Sequence, residues 1–142
     1  MSHNVLVIDD SERITAIIHH FLEQAGYSVK VANQPEDGLV MAQEGGIDLV
    51  ILDIMMPRLS GYEVYDLLRK DERTQALPVI MLTAQAVIEA TPRTFFFGLY
   101  GVLSKPFKKD KLLSTVKKIL ALTDPTKTAR MQKSGGGPVV QG

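Results

Sequence analysis

The chain has 142 residues, of which 45% are hydrophobic and 23% charged, the size and balance of one globular domain with its own core. Sixteen basic and sixteen acidic side chains cancel, so no overall field draws the protein to nucleic acid or an anionic membrane surface. Cysteine is absent, which excludes disulfides and thiolate metal sites, and no apolar stretch approaches the roughly 20 residues of a spanning helix; a cytoplasmic location is expected.

Val5-Leu6-Val7-Ile8 is short, apolar and rich in β-branching, the pattern of a strand buried on both faces of a parallel sheet. It stops at Asp9-Asp10. Ser11 suits a helix N-cap, and Ile14, Ile17, Ile18, Phe21 and Leu22 follow at helical spacing until Gly26 closes the helix. The cycle then repeats. Tyr27 to Ala32 reads as a strand, and Pro35 to Glu44 as a helix opened by proline and stopped by Gly45-Gly46.

Leu49-Val50-Ile51-Leu52 is a second fully apolar strand, ending at Asp53. A loop with Pro57 and Gly61 leads to a helix carrying Val64, Leu67 and Leu68, and Val79-Ile80-Met81-Leu82 forms the next strand, ending at Thr83-Ala84. Pro92 breaks a helix from within, so a short helix is expected from about Thr91 onward. Gly101-Val102-Leu103-Ser104 is a fifth strand, closed by Lys105-Pro106. Leu112, Leu113, Val116, Ile119 and Leu120 form the stripe of a last helix. Residues 1–122 thus read as one domain. Residues 123–142, with Gly135-Gly136-Gly137-Pro138 and no core pattern, read as a disordered tail with no room for a second domain.

Alternation of strands and helices predicts an α/β fold, a doubly wound parallel five-stranded sheet with helices on both faces. The flavodoxin-like order 2-1-3-4-5 is the leading expectation, and periodicity alone also permits another doubly wound order. Asp9, Asp10, Asp53, Thr83 and Lys105 each end an apolar strand, so the fold gathers them at the carboxyl edge where such sheets bind ligands. Three carboxylates in one crevice need a raised pKa or a cation. Mg²⁺ suits carboxylates, water and a phosphoryl oxygen, and Mn²⁺ takes similar ligands; zinc is disfavoured without adjacent histidine or cysteine. An aspartate can attack phosphorus to give an acyl phosphate, with Lys105 and a cation neutralising charge, Thr83 donating a hydrogen bond, and Ala84 leaving room. Taken one at a time, the same residues would read as helix caps, a turn hydroxyl and a surface lysine.

The sequence closely resembles the receiver domains of two-component response regulators. The matching pieces are Val5 to Asp10, Leu52-Asp53-Ile54-Met55-Met56-Pro57 with Gly61, Leu82-Thr83-Ala84 and Lys105-Pro106-Phe107, in family order over about residues 4–122. The resemblance implies that Asp53 is the phosphoacceptor. It makes Asp10 a direct Mg²⁺ ligand, Asp9 a ligand mostly through water, and the Met55 backbone carbonyl the last protein ligand. Thr83 becomes the switch hydroxyl that moves toward the phosphoryl group, Lys105 the ion-pairing partner of that group, and Lys105–Pro106 a cis bond. Implied partners are a sensor histidine kinase or histidine phosphotransfer protein upstream and an unidentified protein downstream, with phosphorylation-dependent homodimerisation as one outcome. Direct nucleic-acid binding and membrane insertion are not expected.

Two features depart from the family pattern. The switch position that usually carries Tyr or Phe is Val102. Tyr100, two residues earlier, is expected to face the same way by strand alternation. Phe95, Phe96 and Phe97 cannot all face one core, so they mark either a protein contact, together with Tyr100, or gap filling beside a shortened helix. Two other readings compete with a stand-alone phosphorelay module. One is a degenerate receiver acting as a constitutive interaction module. The other is an aspartyl-nucleophile phosphatase, an enzyme class that places a second aspartate where this chain has Met55. His3, His19 and His20 read as solvated, and the six methionines as packing residues.

Overall fold

The computed structural model describes residues 3–123, with Phe97 described by its backbone alone. Five strands, β1 (Asn4–Ile8), β2 (Ser28–Ala32), β3 (Leu49–Leu52), β4 (Val79–Ala84) and β5 (Gly101–Lys105), form one sheet. All neighbours are parallel and the order is β2-β1-β3-β4-β5, the flavodoxin-like arrangement. The helices are α1 (Glu12–Gln24), α2 (Pro35–Gln43), α3 (Gly61–Lys70), α4 (Gln85–Ala90) and α5 (Lys109–Thr123), with a 3₁₀ turn at Arg93–Gly98.

Period-two alternation splits the apolar strands between two core layers. Val5, Val7, Leu49, Ile51, Ile80, Leu82 and Leu103 face Ile18 and Leu22 of α1 and Leu112, Val116 and Ile119 of α5. Leu6, Ile8, Val50, Leu52, Val79 and Met81 face the opposite layer, which Ala42, Val64, Tyr65 and Leu68 help to build. The β1 and β3 interiors are buried throughout, as continuous apolar runs require.

Local signals set the helix ends. The Ser11 hydroxyl accepts from the Ile14 N–H at 3.3 Å to cap α1, and Gly26 takes φ 98° just beyond its end. Ser60 and Glu63 form a reciprocal capping box at α3. Helix α5 runs through Thr123, so residue 123 belongs to the last helix. The expected tail beyond it lies outside the described residues.

Three expectations need correction. The helix expected from about Thr91 onward is divided at Pro92, with α-helix before it and a 3₁₀ turn after it. Pro92 has no N–H to continue the α-helical ladder. No residue of α4 is fully buried, and Val87 packs in part against the layer that holds Tyr65. Leu67 is 40% exposed, because Gly61, Val64, Tyr65 and Leu68 supply the buried face of α3. Tyr100 packs with the α1/α5 layer, whereas Val102 packs with the opposite one. Tyr100 precedes the first residue of β5, so strand alternation does not reach it.

Phe95 meets Tyr62, Tyr65 and Phe96 edge-on, with centroids 4.9, 5.3 and 5.7 Å apart. The Tyr65 hydroxyl donates to the Gly98 carbonyl at 2.5 Å, and Arg69 Nη2 donates to the same carbonyl at 3.5 Å. These contacts fasten the 3₁₀ turn to α3. Phe95 and Phe96 are partly buried against that layer; the Phe97 side chain lies outside the described residues.

Candidate functional site

The register of the sheet brings the strand ends together. Ile8 is level with Leu52, so Asp9 and Asp53 leave neighbouring strands side by side. Thr83 lies opposite Ser104 and Ala84 opposite Lys105 on the next pair. One carboxylate oxygen from each of Asp9, Asp10 and Asp53 lies within 4.8 Å of the others. Asp9 is 1% exposed and Asp53 4%, while Asp10 is exposed; the cluster therefore has a buried floor and an open side.

The Lys105 ammonium enters this cluster, 2.7 Å from Asp9 Oδ2 and 3.3 Å from Asp53 Oδ2. The Lys105–Pro106 peptide is cis, as the resemblance implies. Burial raises the Asp9 carboxyl above its ordinary range; the Lys105 and Ser11 hydrogen bonds oppose the rise and the Asp53 charge adds to it. For Lys105, burial disfavours the charged form, but the hydrogen bonds and charges of Asp9 and Asp53 outweigh it and its pKa rises. The lysine is thus firmly cationic.

Two carboxylates 4–5 Å apart repel by about 3–4 kcal/mol at an effective dielectric of ~20. One ammonium cannot cancel three such charges. The donor set of several carboxylates, with no histidine or cysteine among them, fits a hard divalent cation that keeps part of its water.

Two features of the backbone frame Asp53. The Asp53 N–H donates to the Ile8 carbonyl at 3.0 Å, and the Gly61 N–H to the Ile54 carbonyl at 2.7 Å. A Cβ on Gly61 would collide with the Asp53 carbonyl and the Ile54 Cα, so this close approach of α3 to the Asp53 loop requires glycine. Met55, two residues after Asp53, is 63% exposed. Arg58 adopts φ 67° and pairs with Glu36 at 3.1 Å and with Gln34, tying the loop to the start of α2.

Thr83 is 1% exposed at the end of β4 and Ala84 is exposed beside it. Val102 is half-buried on β5. Phe95, Phe96 and Tyr100 stand apart from the carboxylate cluster in the packing described above.

Sequence reasoning missed Asn33 and Thr15. Asn33 Nδ2 donates to the Asp9 carbonyl at 2.9 Å and to Thr15 Oγ1 at 3.0 Å. An asparagine after a strand reads as a turn residue, and a threonine in a helix as a neutral filler. Neither carries a signal of its contact until the sheet brings β2 beside β1.

Comparison with known proteins agrees with this geometry. The family model for the response regulator receiver domain matches residues 5–117. The DNA-binding dual master transcriptional regulator RpaA of Synechocystis is 38% identical over 120 residues, covering 84% of this chain and 50% of that protein. The phosphate regulon transcriptional regulatory protein PhoB of Rhizobium meliloti is 30% identical over 135 residues, covering 95% and 60%. The chain therefore spans about half to three-fifths of the length of these relatives. Among solved structures, the chemotaxis protein CheY4 of Vibrio cholerae aligns with a TM-score of 0.74 at 31% identity, covering 83% of this chain and 98% of that one. A response regulator receiver domain protein from Clostridium thermocellum aligns with a TM-score of 0.73 at 31% identity, covering 81% and 91%. With the parallel sheet, the acidic strand ends and the lysine among them, these matches establish that the chain belongs to the response regulator receiver domain family.

Proposed function

We propose that the chain takes a phosphoryl group from the phosphohistidine of a sensor kinase or phosphotransfer protein onto Asp53, in a site that holds Mg²⁺, and thereby switches a protein-interaction surface. The observation that carries this reading is the carboxylate cluster with Lys105 inside it. Three carboxylates and one ammonium leave two formal negative charges on the carboxyl edge, which a divalent cation would balance. Asp10, Asp9 and Asp53, with the Met55 backbone carbonyl, would hold Mg²⁺; Mn²⁺ accepts the same oxygen ligands. When bound, the cation offsets negative charge on the transferred phosphoryl group.

The chain's own residues account for the rest. A carboxylate oxygen of Asp53 attacks phosphorus as the N–P bond of the donor breaks, and the imidazole leaves with the electron pair of that bond. Burial of Asp53 limits competing water, and the Ile8 and Gly61 backbone contacts hold the loop that carries it. Lys105, already bridging Asp9 and Asp53, would pair with a phosphoryl oxygen, and the Thr83 hydroxyl would donate to another. Ala84 presents only a methyl group beside them.

Regulation through a partner protein and a cytoplasmic location accord with membership of this family; no helix among the described residues is long and apolar enough to cross a membrane. Binding to DNA is a property of the relative RpaA. Met55 occupies the place where aspartyl-nucleophile phosphatases carry their second aspartate, which favours a signalling role over turnover of small esters.

Intact mass after incubation with acetyl phosphate tests the reading. One phosphoryl adduct is expected with Mg²⁺, and none after chelation of the metal. An adduct that forms equally well without a divalent cation would overturn the metal assignment.

A further inference from the structure

Asp9 is held at every polar atom. Its N–H donates to the Ala32 carbonyl at 3.1 Å, and its carbonyl accepts from Asn33. Its carboxylate accepts from the Ser11 N–H at 3.0 Å and from Lys105 at 2.7 Å. Asp10 differs: it is exposed, and its orientation depends on the chain on either side. The peptide joining the two residues is planar, so the Asp9 carbonyl and the Asp10 N–H turn together. Gripping that carbonyl fixes the plane from which Asp10 departs.

Asn33 supplies the grip. One amide nitrogen carries two protons, and both are used, one on the Asp9 carbonyl and one on Thr15 Oγ1. Thr15 is 2% exposed in the first turn of α1 and passes its own proton to the Glu12 carbonyl at 3.1 Å. Asn33 therefore fastens the β1–α1 turn from both sides, ahead of Asp10 and behind Ser11. The backbone carbonyl can only accept, which sets the orientation of the amide. Aspartate at this position would offer no donor, and serine only one.

We infer that Asn33 is a positioning residue for the Asp10 carboxylate, acting through the Asp9–Asp10 peptide and braced by Thr15. This inference rests on the proposed reading of the acidic cluster as a Mg²⁺ site. Orientation by groups behind the ligands is a general determinant of metal affinity, worth about 10–100-fold.

The test is calorimetric titration of Mg²⁺ into the full chain and its Asn33→Ala, Thr15→Val and Thr15→Ser variants, with thermal denaturation of each metal-free protein. Asn33→Ala is expected to weaken Mg²⁺ about tenfold, and phosphorylation by acetyl phosphate to return to the parent rate when Mg²⁺ is raised to saturation. Thr15→Val should weaken binding in the same direction, while Thr15→Ser, which keeps the hydroxyl, should retain the parent affinity. A purely structural role would lower the melting temperature without moving the Mg²⁺ affinity of the folded protein. If the parent binds Mg²⁺ and folded Asn33→Ala binds it equally well, the inference fails alone. If the parent itself does not bind Mg²⁺, the metal reading fails and takes the inference with it. Should Asn33→Ala not fold, Thr15→Val with parent-like affinity overturns the inference in its place.

Discussion

Asp9 carries a stability cost that its surroundings relieve only in part. Its folded-state pKa lies above the ordinary 3.8, chiefly because it is buried. A carboxyl of this kind binds a proton more tightly in the folded than in the unfolded chain. Its favourable contribution is therefore complete below the unfolded value and is lost as pH rises through the folded one. In the metal-free protein that part of the stability is missing at neutral pH, where a cation can take the place of the proton. We predict that saturating Mg²⁺ raises the melting temperature more at about pH 7.5 than at about pH 4, where protons compete for the site. Equal shifts at the two pH values would contradict this electrostatic account. At this scale the principal residues were legible in the sequence, because a charged side chain that ends an apolar run has its place fixed by the strand. Asn33 and Thr15 were not legible, since their contact is made across two strands and a helix.

The element that most constrains the site is the junction between β3 and α3. Its turn brings the first residue of α3 against the Asp53 carbonyl, and only a residue without Cβ fits there. Gly61→Ala is expected to destabilise the fold by about 1–3 kcal/mol through overpacking and to slow phosphorylation by displacing the Asp53 loop. Chemical denaturation and the rate of adduct formation would check both effects. An unchanged rate in a folded variant would show that the loop tolerates the shift. The secondary structure was readable to different depths. Strands β1, β3 and β4 announce themselves by unbroken apolar runs, and α1 and α5 by stripes. Helix α4 spans six residues and packs only in part, through Val87, too little for periodicity to report, and Pro92 marked a break without showing that a helix precedes it. Leu67 matched the spacing of a stripe whose place Tyr65 takes instead.

Across the whole molecule, topology does the gathering. Order β2-β1-β3-β4-β5 puts Asp9, Asp10, Asp53, Thr83 and Lys105, separated by up to 96 positions in the chain, along one edge. Strand count, direction and order followed from alternation together with the family resemblance. Which layer each residue between strands joins did not follow, as Tyr100 illustrates: it lies just outside the pleat that governs Val102. We propose that this edge makes Asp53 a phosphoacceptor. Borohydride reduction of the protein after incubation with acetyl phosphate and Mg²⁺, followed by peptide mapping, tests it most directly, because an aspartyl phosphate is reduced to homoserine at the residue that carried it. Homoserine is expected at position 53 alone, and none in Asp53→Asn. Homoserine at another aspartate in the parent protein, with position 53 unmodified, would contradict it.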